Sequence, residues 1–106
     1  MSGARHVSPA RLRGLLEETS ARTGFGVHRL VGPEVADDIA QARFAFAWAA
    51  QQGLASSTVA TGRSLCRHHT TVIHAIRRAK QLRASDDSFR DLTDRLVAFA
   101  MEKPDA

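Results

Sequence analysis

Apolar residues along this chain recur at spacings of three and four, and no sustained run alternates at period two. Residues three and four apart share one helix face, so this spacing predicts helices. Ser8-Pro9 is a helix start, with a hydroxyl at the cap and proline in the first turn, where no N–H is needed. Leu12, Leu15 and Leu16 form one face of that helix, which is predicted to end near Gly24. Residues 25–30 read as a compact connector whose Phe25, Val27 and Leu30 plug the core. Gly32-Pro33-Glu34 opens a second long helix, with Glu34, Asp37 and Asp38 set favourably against its positive N-terminal end. Ile39, Ala42, Phe46 and Ala49 make its stripe, widened by Phe44, Ala45 and Trp48. So apolar a circumference predicts the central, most buried helix, with Gly53 marking its end.

Ser56-Ser57-Thr58 supplies the next cap, for a short helix reaching Leu65. A tight turn at Cys66-Arg67-His68 leads into a helix starting at His69 or Thr70. Its expected apolar face is Val72, Ile73, Ile76, Ala79 and Leu82, and the opposite face carries Thr71, His74, Arg77, Arg78 and Gln81. Capping residues at 85–88 interrupt the pattern. A last helix over 89–101 then turns Phe89, Leu92, Leu96, Val97 and Phe99 or Ala100 toward the core. The prediction is an all-α fold, a compact bundle of five to six helices in one domain spanning 8–101. A disordered N-terminus (1–7) and a C-terminal tail (102–106) flank it. A chain of 106 residues suffices for one hydrophobic core.

Composition narrows the class. The single cysteine, Cys66, allows no internal disulfide and fits a reducing compartment. The N-terminal residues contain no apolar signal core, and the longest apolar stretch, 44–50, falls far short of the roughly 20 residues of a membrane span. The expected location is cytoplasmic, on the nucleoid, with no membrane partner. Charge adds more. All 11 acidic residues lie outside 39–85, whereas that stretch holds Arg43, Arg63, Arg67, Arg77, Arg78, Lys80 and Arg83, with His68, His69 and His74 among them. A basic middle between neutralised ends suits a polyanion, although a solvated helix face has the same composition.

A short helix, a tight turn and a half-basic helix make a helix-turn-helix, whose second helix enters the major groove by its N-terminal residues. Those residues are Arg67, His68, His69, Thr70 and Thr71. Arg and His can donate to the N7 and O6 acceptors of guanine, and a threonine methyl can lie on that of thymine. Arg77 and Arg78, two turns further on, are placed for phosphates.

The run Thr61-Gly62-Arg63-Ser64-Leu65-Cys66-Arg67-His68-His69-Thr70-Thr71-Val72-Ile73-His74-Ala75-Ile76-Arg77-Arg78 resembles the signature of the C-terminal DNA-binding domain of the bacterial replication initiator DnaA. That signature reads approximately I-G-R-x-F-G-R-D-H-T-T-V-L-H-A-x-R-K. The likeness extends to Ala42-Arg43 and the residues up to Ala49, to Phe25-Gly26-Val27, and to the closing helix, covering about 8–100. The resemblance implies that His69 and Thr70 read bases and that Thr71, Arg43, Arg77 and Arg78 hold phosphates. It also implies that Thr58 starts a scaffold helix close to the backbone.

Three departures follow from the same comparison. His68 stands where the family has an aspartate that accepts from cytosine, and histidine suits a guanine or thymine acceptor better. A preference for a site other than the initiator's own box is therefore expected. Val35-Ala36-Asp37-Asp38 replaces a basic segment that reaches the minor groove. None of the seven glycines belongs to a G-x-x-x-x-G-K-[ST] loop, so no ATPase module is expected.

Other chemistry is poorly supported. Cys66, His68, His69 and His74 lack zinc-ligand spacing, with His69 and His74 five apart on different helix faces. Cys66 has no orienting group or oxyanion site beside it and reads as a small turn residue. Trp48 with Phe44 and Phe46 fits core packing better than a platform for single strands. His74 reads as a core-edge residue ahead of a phosphate contact. Asp86, Asp87, Asp91 and Asp94 read as caps and a solvated face.

The expected function is sequence-specific binding of double-stranded DNA without enzymatic activity, by a transcription regulator such as an activator of prophage-like or gene-transfer-agent genes. The expected DNA-binding set is Arg43, Thr58, Arg63, Arg67, His68, His69, Thr70, Thr71, His74, Arg77 and Arg78, with about four to seven phosphate contacts. Neither cofactor nor metal is expected, and the further partner of an activator is RNA polymerase or a co-activator. The alternatives are a replication modulator competing with the initiator at origin sites, and a protein-interaction module docking on polymerase or initiator.

Overall fold

The structure, a computed structural model, describes residues 7–102. Six helices follow in order: α1 (Pro9–Thr23), α2 (Val27–Leu30), α3 (Asp37–Leu54), α4 (Thr58–Leu65), α5 (His69–Ser85) and α6 (Asp87–Met101). The protein is an all-α bundle, and no strand occurs among the described residues. The disordered segment expected over 1–7 lies outside the described residues except for Val7, which packs against the core. The expected tail lies outside them except for the exposed Glu102. Among the described residues, no helix is long and apolar enough to cross a membrane.

Local chemistry sets most boundaries. Ser8 Oγ accepts from the Arg11 amide at 3.2 Å, and Pro9 opens α1. Gly24, at φ 85°, closes it in a left-handed conformation that costs glycine little. Asp86 caps α6 by accepting from the Phe89 amide at 3.0 Å. Two boundaries of α3 differ from expectation. It starts at Asp37 rather than near Pro33, because the carbonyls of Gly32 and Glu34 accept from the Arg43 side chain and hold an arch before the helix. It also runs through Gly53. A Cβ at Gly53 would lie 2.6 Å from that of Ala100, so this glycine marks the close approach of α6, and Ala55 at φ 55° turns the chain.

Helix α3 is the centre of the bundle, packed against α1, α5 and α6. Ile39, Ala42, Ala45, Phe46, Ala49 and Ala50 are buried on it. Burying a phenylalanine such as Phe46 contributes roughly 1.5–3 kcal/mol, and the surrounding alanines let neighbouring helices approach closely. Helix α5 buries Val72 and Ala79 of the expected face and adds Ala75, whereas Ile73 turns outward. Ile73 is 41% exposed and Ile76 half-buried. Ala75 and Val72 form a small cluster with Ala47 of α3, so the face with small side chains lies against the crowded centre. Arg83 ties α5 to α6, donating to Thr93 Oγ1 and Asp94 Oδ1 at 2.7 Å each. Its guanidinium also lies 5.0 Å over the Trp48 ring, which therefore sits at a half-buried core edge.

Candidate nucleic-acid interface

Helix α4 begins where Ser57 Oγ accepts from the Ala60 amide at 3.0 Å, and it ends in a paired turn. The Arg67 amide donates to Gly62 O at 2.8 Å and the Cys66 amide to Arg63 O at 3.3 Å, which satisfies carbonyls at the helix end. Cys66 takes the left-handed conformation at φ 57°. A Cβ on Gly62 would sit 2.5 Å from the Arg67 carbonyl oxygen, so only glycine lets the turn fold back this closely. Three residues, 66–68, then separate α4 from α5, and the two helices pack together as a helix-turn-helix.

His68 is the N-cap of α5. Its Nδ1 accepts from the Thr70 amide at 3.3 Å and pairs with Thr70 Oγ1 at 2.9 Å. The Thr70 hydroxyl is thus turned back to the cap, leaving its methyl as the group that can meet a base. His68, His69, Thr70, Thr71, His74, Arg77 and Arg78 are all exposed. Thr70, His74, Arg77 and Gln81 run at helical spacing along the outer face of α5, flanked by Ile73 and Lys80.

Arg43 does not belong to this surface. It is 7% exposed and donates to Leu30 O at 2.7 Å, Arg29 O at 3.0 Å, Gly32 O at 3.1 Å and the Glu34 carbonyl. The expectation of a phosphate contact is corrected here: the end of α2 leaves unpaired carbonyls inside the fold, and Arg43 satisfies them. Burial, and next the nearby Arg67 charge, lower its pKa below the ordinary arginine value, while Glu34 opposes the shift. Arg67 is likewise corrected from an outward base reader. It is half-buried and donates to Gly32 O at 2.6 Å, Leu65 O at 3.0 Å and Val31 O at 3.4 Å. His74 is corrected in the other direction, lying exposed instead of at the core edge.

Arg63 is exposed but lines a different face, a groove shared with Leu12, Leu16, Val31 and Val59. Thr58 is half-buried at the first turn of α4. Ile73 and Lys80 went unassigned to the site. The pair Ala75 and Ala79, at the spacing of the buried face, is the sequence signal that could have turned them outward.

Charge pairing separates the surfaces. Six ion pairs occur among the described residues: Arg13–Glu17, Arg22–Glu18, Arg29–Glu34, Arg83–Asp94, Arg90–Asp87 and Arg95–Asp91. None of them involves Arg77, Arg78 or Lys80. Arg78 bonds only the neutral Gln81, at 2.6 Å. Among the described residues the outer face of α5 is therefore a positive surface with no paired carboxylate, beside a hydroxyl- and imidazole-bearing helix start. No group of three or more metal-ligating side chains occurs among the described residues. Comparison with protein families, with curated proteins and with solved structures finds no match to this chain.

Proposed function

We propose that this protein binds double-stranded DNA sequence-specifically, with the start of α5 in the major groove, and acts as a transcription regulator without catalysis. The observation behind this is the outer face of α5. Arg77, Arg78 and Lys80 are exposed without a carboxylate partner among the described residues, whereas six other arginines are ion-paired. Unneutralised cations along one helix face attract phosphate, and His68, His69 and Thr70 at its N-terminal end supply a donor set and a methyl for base edges. The resemblance of 61–78 to the initiator's DNA-binding signature supports the same reading.

The groove between α1, α2 and α4 favours a second reading, a module that docks on another protein such as polymerase or the initiator. A His69→Ala/Thr70→Ala double variant separates the two. Gel-shift titration with duplexes selected by the wild type is expected to show at least tenfold weaker binding, with circular dichroism unchanged. Unchanged affinity would reject the DNA-reading role of α5. If the selected site is the initiator's own box, a replication modulator replaces the transcription regulator.

A further inference from the structure

The imidazole that caps α5 has a second, outward edge. His68 Nδ1 faces the Thr70 amide at 3.3 Å and Thr70 Oγ1 at 2.9 Å. A backbone N–H can only donate, so a neutral ring that keeps this bond presents the Nδ1 lone pair to it and carries its single proton on Nε2. The two nitrogens point in divergent directions, and His68 is exposed. The His69 ring lies 4.3 Å away, tilted by 35°, and limits how far the His68 ring can swing.

We propose that His68 is a specificity-determining residue of fixed hydrogen-bond polarity. The cap holds it as an Nε2–H donor, so it selects guanine at one base pair and disfavours cytosine there. This rests on the DNA-binding reading above. Guanine offers two adjacent acceptors, N7 and O6, in the major groove. Adenine sets an amino donor beside its N7, thymine sets a methyl beside O4, and cytosine presents an amino donor to a donor. One residue thereby stabilises the helix start and fixes which base edge it tolerates.

His68→Asp reverses the polarity without removing the cap, because aspartate is among the strongest N-cap residues but only accepts. Selection from randomised duplexes is expected to give guanine at one position for the wild type, favoured about fivefold to tenfold over cytosine. The variant is expected to reverse that position to cytosine and leave the others unchanged. In the free protein, long-range nitrogen–proton correlation of the ring at mildly alkaline pH is expected to show the proton on Nε2. Two selective binders with the same motif would overturn the proposal alone, as would a proton on Nδ1. A wild type that selects no duplex would overturn it together with the DNA-binding reading.

Discussion

Arg43 and Arg67 donate to the same acceptor, the carbonyl oxygen of Gly32, at 3.1 and 2.6 Å. One arginine comes from the central helix and the other from the turn before α5, so a single peptide group ties the arch before α3 to the base of the candidate recognition helix. Two like charges meet there, and Arg67 helps to lower the Arg43 pKa. The arrangement holds because several carbonyls converge on each guanidinium, and unmade buried hydrogen bonds are costly.

Arg43→Ala is expected to destabilise the fold by about 2–4 kcal/mol, since it removes the side-chain donor from the carbonyls of Leu30 and Glu34 and one of the donors to those of Arg29 and Gly32. Arg43→Lys recovers only part of this, because an ammonium cannot present the planar fork. Urea unfolding measures both. The salt slope of DNA binding by a folded Arg43→Gln variant is expected to match the wild type, whereas losing a cation from phosphate would reduce it.

Cys66→Gly is expected to stabilise the protein by about 0.5–1 kcal/mol. Cys66 sits at φ 57°, a conformation that disfavours a side chain and suits glycine. A rise in the thermal midpoint, with DNA affinity unchanged, is the expected result.

Gly62→Ala acts oppositely. The added methyl would lie 2.5 Å from the Arg67 carbonyl oxygen, which is backbone and cannot swing aside. A loss of about 2–3 kcal/mol is expected in urea titration, together with weakened duplex binding as the turn shifts α5.

Arg77→Ala and Arg78→Ala are each expected to weaken binding uniformly across duplex sequences. Each should also reduce the magnitude of the log affinity–log salt slope by about 1. Arg95→Ala serves as the control: Arg95 is paired with Asp91 on α6, and its loss is expected to leave the slope unchanged. Equal slopes for all three variants would place the phosphate path elsewhere.

The chain by itself determined the helices and most of their ends, because those depend on neighbours in sequence. Ser8, Gly24, Ser57 and Asp86 act within one turn of their own position, and the alanine-rich run through Phe46 can only be a core. Tertiary structure decided what each arginine does. Arg43 and Arg77 look alike as residues, yet one meets carbonyls left by a helix 13 residues away and the other meets solvent. It also decided the rotation of α5, where Val72 and Ala75 fit against Ala47 of α3 and Ile73 turns outward. Local hydrogen bonding is written at fixed spacing, whereas side-chain burial depends on which distant segment arrives and how much room it leaves.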